Sequence, residues 1–354
     1  MQPLPVSPAA GVLRITLARA AGFALGLLCA LAQAATGLAE IAGRDGDGPV
    51  TVFYPSSSKA RPLKRGPFTI QAAEDAAPVR GNGRLLLLSH GSGGSPWTYA
   101  DLARVLVEAG FVVAMPEHRG DNYKDTSGIG PTSWRQRPAE VSRAIDAVAR
   151  DARFGPLLKL DKVGMYGMSA GGHTALTLAG GRWAPARIAQ HCNAHIAEDF
   201  QSCVGLTAQL RGDAFDTFKI WTALNVIRWR FSDAGLQSYR DPRVAAVIAG
   251  VPFAVDFDMA SFASPAVPLG IVTAGGDRWL VPRFHSGAVL QACPACERVA
   301  DIPGGGHGAL LSPLPPKLTG LAAELLADPP GFERAVLPEV DRKIAAFFRK
   351  HLLP

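Results

Sequence analysis

A serine flanked by glycines follows an apolar run and precedes a stretch that is compatible with a helix. The pattern is Gly167-Met-Ser169-Ala-Gly171, with the apolar run over residues 163–166 and the helical stretch over 170–179. A sharp turn from strand to helix holds such a serine in a strained backbone conformation, and larger side chains two residues to either side would collide. Because this turn exposes the hydroxyl above the sheet, the pattern predicts that Ser169 is a nucleophile.

A serine hydroxyl attacks a carbonyl carbon efficiently only when a base accepts its proton. Of the eight histidines, His307 is best placed, because it lies in Gly304-Gly-Gly-His307-Gly308 directly after the last predicted strand. A flexible turn there would deliver the imidazole to the nucleophile. His173 is closer in sequence, but on the helix that begins after Ser169 it is expected to point into the packed interior.

The base in turn needs a carboxylate that orients the imidazole and stabilises its charged form. Asp277 is the first candidate, since it lies in a loop over residues 274–282 that directly follows a predicted strand at 269–273. Asp256 and Asp258 follow the preceding strand and are the alternatives. Serine, then aspartate, then histidine is the chain order associated with this kind of nucleophile turn.

Two backbone N–H groups must also meet the negative charge that develops on the carbonyl oxygen. Ala170, directly after the nucleophile, is predicted to supply one of them. Ser92 is predicted to supply the other, because it lies in a glycine-rich loop over residues 90–94 that follows a predicted strand. His90 is expected to be structural. The loop lacks the lysine of a phosphate-binding loop, which argues against a nucleotide site.

The elements that must position these residues alternate between short apolar runs and helical periodicity. This alternation is typical of an α/β fold with a mostly parallel central sheet flanked by helices. Apolar stripes predict helices at 101–109, around 141–148 and, closing the chain, around 340–348. Residues 59–82 have no assignment. An antiparallel strand is predicted at 50–54, and further strands at 84–89, 111–115, 163–166, 244–249, 269–273 and 298–302.

Residues 181–243 are too long for an ordinary connection between a helix and a strand. They are predicted to form a cap or lid insertion. Trp221, Trp229 and Phe231 in this segment would either pack within the lid or line an acyl or alcohol pocket, and packing is the favoured interpretation.

The first 34 residues have the features of a secretory signal peptide. Residues 1–19 hold two arginines and no acidic residue, residues 20–32 are uncharged and apolar, and Ala32-Gln-Ala34 follows. The apolar core is short for a bilayer span, which needs about 20 residues, so no membrane span is expected after cleavage. An uncleaved anchor is the alternative. The domain at 35–354 is thus expected to be periplasmic or secreted.

Four of the five cysteines lie outside this leader, and an even number in an exported chain predicts disulfides. Proximity in sequence favours the pairs Cys192 with Cys203 and Cys293 with Cys296. A zinc site that uses His191 and His195 with nearby cysteines is the alternative. The spacing of Cys293 and Cys296 also matches a redox motif, but the motif does not open a helix after a strand, so a structural bridge is favoured.

The charge pattern does not predict a nucleic-acid partner. The formal net charge is +6, yet no run of lysine and arginine is longer than a pair. A nucleic-acid surface would need a basic stripe interleaved with aromatic residues. A solvated, mildly basic surface is the simpler interpretation.

Three further motifs accompany the serine turn. They are Ser89-His-Gly-Ser-Gly-Gly94, Pro116-Glu-His-Arg-Gly-Asp121 and Arg137-Pro-Ala-Glu-Val-Ser-Arg-Ala-Ile-Asp146. Together they resemble the α/β-hydrolase superfamily, in the branch of dienelactone-hydrolase-like proteins and platelet-activating-factor acetylhydrolase-like esterases. The resemblance spans roughly residues 51–351 and implies an α/β-hydrolase fold and ester hydrolysis.

Two departures from these relatives limit what the resemblance implies about substrate. Dienelactone hydrolases have a cysteine nucleophile where this chain has Ser169, so lactone specificity does not carry over. The acetylhydrolases place their acid after the earlier strand, where this chain has Ala249 and Gly250. Asp277 is therefore the favoured acid, and phospholipid specificity does not carry over.

The sequence thus predicts a serine hydrolase that cleaves a small-molecule carboxylic ester through an acyl-enzyme on Ser169, with no metal or organic cofactor. One alternative is a peptidase or amidase with the same three residues. Another is a binding protein that kept the fold and lost catalysis. Neither the substrate nor the oligomeric state follows from the sequence.

Overall fold

The computed structural model describes residues 1–2 and 35–354. Apart from Met1 and Gln2, the predicted signal peptide at 1–34 lies outside the described residues. Within the described ranges no helix combines the length and apolar character that crossing a bilayer requires.

The described chain contains a ten-stranded sheet in the order β10-β9-β8-β7-β5-β6-β2-β1-β4-β3. Neighbours from β10 to β6 are parallel, whereas β2 pairs antiparallel with both β6 and β1. The strands are β1 (Ala35–Ile41), β2 (Val50–Ser56), β3 (Arg61–Arg65), β4 (Phe68–Glu74), β5 (Leu85–Ser89), β6 (Val112–Pro116), β7 (Val163–Met168), β8 (Val244–Gly250), β9 (Leu269–Ala274) and β10 (Glu297–Ile302).

Helices cover both faces of the parallel strands, which is why those strands are apolar on both sides. In β5, Leu85 and Leu87 pack towards α2 and α3, whereas Leu86 and Leu88 pack towards α1 and α9. The helices are α1 (Ala100–Glu108), α2 (Pro131–Arg150), α3 (Ala170–Leu178), α4 (Pro185–His195), α5 (Phe200–Val204), α6 (Asp216–Arg230), α7 (Ser286–Ala292), α8 (Gly320–Leu326) and α9 (Leu337–Leu352).

Each predicted strand agrees with an observed strand to within two residues, and each of the three predicted helical stripes lies on an observed helix. The unassigned segment at 59–82 contains the β3–β4 hairpin. The strand order reverses between β5 and β7, and open α/β sheets bind ligands beyond the carboxyl ends of strands at such a point. Ser89 pairs with Gly167 there, so the loop after β5 and the turn after β7 begin side by side.

The long segment at 181–243 contains α4, α5 and α6 and lies in the chain between α3 and β8. The buried carboxylate of Asp199 links this segment to the rest of the protein. Asp199 accepts hydrogen bonds from His191 (2.8 Å) and His285 (3.1 Å), the latter in the loop that precedes α7. Burial alone would raise the pKa of Asp199, but the hydrogen bonds from His191 and His285 lower it, so the carboxylate stays ionised.

Both favoured cysteine pairs are disulfides. Cys192 is bonded to Cys203 and links α4 to α5, while Cys293 is bonded to Cys296 directly after α7. The sulfur atoms needed for the alternative zinc site are therefore bonded to each other.

We expect the longer disulfide loop to contribute more stability. Replacing Cys192 and Cys203 by serine should lower the free energy of unfolding by about 3 kcal/mol, because the closed loop constrains the unfolded chain. The matched double variant at Cys293 and Cys296 closes a shorter loop and should lose about 2 kcal/mol. Urea denaturation of both variants measures the difference, and an equal or reversed loss would contradict the loop-length account.

Candidate active site

The turn between β7 and α3 holds Ser169 in a backbone conformation that L-residues rarely adopt. Its φ and ψ are 57° and −118°. A Cβ atom at Gly167 would lie 1.9 Å from the Gly171 carbonyl oxygen, and one at Gly171 would lie 1.9 Å from the Ser89 carbonyl oxygen. The predicted need for glycine at these two positions is confirmed. The serine is half-buried, so its hydroxyl is not enclosed in the core.

Three side chains from distant parts of the sequence meet at this turn. His307, in the loop after β10, has its Nε2 3.0 Å from the Ser169 Oγ and its Nδ1 2.8 Å from an Asp277 carboxylate oxygen. The other Asp277 oxygen accepts the backbone N–H groups of Trp279 and Leu280, each at 2.9 Å. The carboxylate is thereby fixed with one oxygen directed at the imidazole, which is the geometry that a Ser-His-Asp system requires.

The competing candidates bond to other partners. His173 is fully buried and its Nε2 lies 3.0 Å from the Asp256 carboxylate, as expected for a packed histidine. Asp258 forms an ion pair with Arg182 at 2.8 Å. Neither alternative acid bonds to His307.

The loop at 90–94 lies against Ser169. A Cβ atom at Gly91 would be 3.3 Å from the Ser169 Cβ. In this loop, Gly91 donates its N–H to Tyr99, Gly93 to Asp121, and Gly94 to the Gly91 carbonyl. Among the described residues, the Ser92 N–H has no such acceptor and stays available to a ligand. Ala170 is the first residue of α3, where backbone N–H groups lack intrahelical partners.

A buried ion pair supports this loop from below. Arg137 and Asp121 are both fully buried, with 2.8 Å between guanidinium and carboxylate. Arg137 also donates to the His90 carbonyl at 2.5 Å, and Asp121 accepts the Gly93 N–H at 2.9 Å. Burial alone would raise the pKa of Asp121, but Arg137, Ser133 and the Gly93 N–H lower it. Both residues belong to motifs noted in the sequence, but nothing there predicted their role.

We expect Asp121→Asn to destabilise the fold strongly, because it leaves the buried Arg137 charge uncompensated. The free energy of unfolding should fall by about 3–5 kcal/mol. Because the folded-state pKa of Asp121 lies below its unfolded value, this stability is present at neutral pH and is lost as the pH falls through the acidic range. The control is Asp233→Asn, whose partner Arg135 is exposed and whose expected loss is below about 1 kcal/mol. Equal losses in urea denaturation would contradict the account.

A second serine-histidine-carboxylate chain lies beneath the site and was not predicted. Ser89 lies 2.7 Å from His118 Nε2, and His118 Nδ1 lies 2.5 Å from Glu140. Ser89 and His118 are at most 1% exposed, so no substrate reaches this hydroxyl. Burial lowers the pKa of His118 and raises that of Glu140. These three hydrogen-bonded side chains therefore have a structural role. The burial of polar groups in the fold reveals them, whereas no spacing in the sequence does.

A cavity of about 1150 Å³ opens over Ser169 and His307. Its walls include the loop at 90–94, α6 of the long insertion, and α8. Phe231 lines the cavity, but Trp221 and Trp229 are 62% and 82% exposed. The expectation that the two tryptophans pack within the lid is wrong, because α6 turns these side chains to solvent.

Comparison with known proteins supports the fold. No protein-family model and no curated protein sequence matches the chain. A solved structure described as a ferulic acid esterase from Streptomyces cinnamoneus superposes with a TM-score of 0.55 at 17% identity, covering 90% of this chain and 91% of that one. The strand order, the flanking helices and this likeness identify the architecture as the α/β-hydrolase fold.

Proposed function

We propose that this chain is a serine hydrolase that cleaves carboxylic esters through an acyl-enzyme on Ser169. The observation that carries the proposal is the position of His307, whose two ring nitrogens lie within 3.0 Å of the Ser169 hydroxyl and the Asp277 carboxylate. The accessible hydroxyl and the large cavity above it leave room for a substrate. The ferulic acid esterase with the same fold also favours ester chemistry.

In the proposed mechanism, His307 Nε2 accepts the Ser169 proton as Oγ attacks the ester carbonyl carbon. The backbone N–H groups of Ser92 and Ala170 bind the oxyanion. His307 then donates the proton to the departing alcohol oxygen, leaving an acyl group on Ser169. Water attacks this acyl group with His307 again as base, which releases the acid and restores the serine. Asp277 stabilises the imidazolium throughout and is not itself protonated.

Matched 4-nitrophenyl esters and 4-nitroanilides of the same acids separate an esterase from an amidase, because both substrates share the acyl group. We expect ester turnover with little or no anilide turnover. A higher kcat/KM for the anilides, or for peptides, would replace the esterase proposal by the peptidase alternative. Absence of turnover on both, with a folded protein, would favour a binding protein.

Asp277→Asn tests the assignment of the acid. We expect kcat to fall by about 10⁴-fold, because an asparagine in this position favours the wrong imidazole tautomer and does not stabilise the charged ring. The matched control is Asp258→Asn, which removes a carboxylate that bonds to Arg182 rather than to His307. A larger loss of kcat in the Asp258 variant would overturn the assignment of Asp277.

We also propose that residues 1–34 are a cleaved signal peptide and that 181–243 form a cap over the site. Two disulfides in the described chain support export, since such bonds persist in oxidising compartments. The contribution of α6 to the cavity wall supports the cap. Mass spectrometry of the protein secreted or exported by a host would show a chain that begins at or near residue 35.

A further inference from the structure

We infer that the ester bound at this site carries a long, apolar acyl chain, which lies in the cleft between α6 and α8. This inference rests on the proposed function and extends it to a substrate class, the esters of medium- and long-chain fatty acids.

The cavity is large enough to hold a long acyl chain. Its volume of about 1150 Å³ exceeds the roughly 300–1,000 Å³ of pockets that hold drug-sized ligands. An acetyl or other short acyl group would leave most of this volume filled with water. A long chain would replace that water with apolar contact along the walls.

The walls of the cavity are mainly apolar where α6 and α8 face it. The α6 side presents Ala223, Val226 and Ile227, and the α8 side presents Leu318, Leu325 and Leu326. Burial of apolar surface against such walls stabilises a bound chain by about 0.8 kcal/mol per methylene, which is a factor of about four. Within the part of the chain that the structure describes, no aspartate or glutamate lines the cavity.

Three lysine or arginine side chains line the cavity, namely Arg65, Lys219 and Arg230. Arg65 is paired with Glu74, and Lys219 with Asp216 at 2.7 Å. Arg230 lies at the exposed carboxyl end of α6. On α6, Lys219 lies one turn before Ala223 and Arg230 one turn after Ile227, so the stretch between these two charges presents mainly apolar side chains to the cleft.

The mouth of the cleft is also apolar although it faces solvent. Leu206, Phe218 and Val226 line the cavity and are 47%, 63% and 50% exposed. Exposed apolar patches mark ligand-binding grooves or contact sites for membranes and proteins, and the position of these three side chains at the cavity favours a groove. A fatty-acyl chain entering between α6 and α8 would cover part of this surface.

The test is a series of 4-nitrophenyl esters from acetyl to octanoyl, kept below the concentration at which they aggregate. We expect kcat/KM to rise two- to fourfold per methylene, and therefore by at least about 60-fold over the six methylenes from acetyl to octanoyl. A flat series, or one that falls with chain length, would overturn the inference while leaving the esterase proposal intact. No turnover of any ester would instead overturn the proposed function.

A matched pair of variants on α6 tests whether the bound acyl chain lies in this cleft. Thr222 and Thr217 are both exposed residues of α6, but only Thr222 lines the cavity. Thr222→Trp should lower the ratio of octanoyl to acetyl kcat/KM at least tenfold, and Ala322→Trp on the α8 wall should do the same. Thr217→Trp should leave the ratio unchanged. An equal ratio in all three variants would show that the chain does not lie in this cleft.

Discussion

Ser169→Ala is expected to lower kcat for ester hydrolysis by about 10⁶-fold, to the level supported by binding and the oxyanion N–H groups alone. The effect is this large because alanine removes the only atom that forms the covalent intermediate. His307 and Asp277 keep their mutual hydrogen bond in this variant, so the fold should be retained. Steady-state turnover of 4-nitrophenyl esters measures the loss, and thermal unfolding checks the structure.

Contaminating enzyme with an intact serine could give residual activity in a preparation of Ser169→Ala. A fluorophosphonate distinguishes the two sources, because it inactivates only the contaminating enzyme. The variant should resist a fluorophosphonate, because it lacks the hydroxyl that the reagent modifies. A folded alanine variant that retains more than about a hundredth of the original kcat would contradict the assignment of the nucleophile.

His307→Ala is the second large effect that we expect, again about 10⁶-fold in kcat, because a serine without a base is a weak nucleophile at neutral pH. Residues that act as one unit are strongly non-additive. The double variant Ser169→Ala with His307→Ala should therefore be no slower than either single variant. Multiplicative losses in the double variant would show that the two residues act independently.

His173→Ala is a matched control for that experiment. Both histidines are buried and bonded to an aspartate, but His173 bonds to Asp256 and packs between Trp183 and Phe257. Its removal should lower the free energy of unfolding through lost packing and leave a functional nucleophile, base and acid. If His173→Ala lost as much kcat as His307→Ala in a folded protein, the choice of base would be wrong.

The fold was largely predictable because apolar periodicity is a local property of the sequence. Strands such as Val163–Met168 are continuous apolar runs, and helices such as Leu337–Leu352 carry one apolar stripe. The β3–β4 hairpin was missed although β4 alternates apolar and polar residues, because β3 is mostly charged and the surrounding segment at 59–82 is interrupted by proline and glycine. The orientation of α6 was also missed. Its aromatic residues Phe218, Trp221 and Trp229 share one side of the helix and its smaller apolar residues share the opposite side, so the apolar pattern does not indicate which side meets the protein.

The positions of the three proposed catalytic residues were predictable because each follows a strand. Ser169, Asp277 and His307 each come just after a predicted strand, and parallel strands bring such loops to one edge of the sheet. The residues that support them were not. Arg137 and Asp121 are 16 positions apart on a helix and a loop, and only three-dimensional packing shows that they form one buried pair under the loop at 90–94.

Fluorophosphonate labelling followed by peptide mapping identifies the residue that acts as the nucleophile. Trypsin should release residues 163–182 as one peptide, in which Ser169 is the only serine. We expect one phosphonyl group per chain, located on Ser169, with loss of ester turnover in proportion to labelling. Modification at another residue, or full ester turnover by an unmodified protein after prolonged exposure to the reagent, would contradict the central claim that Ser169 is the nucleophile.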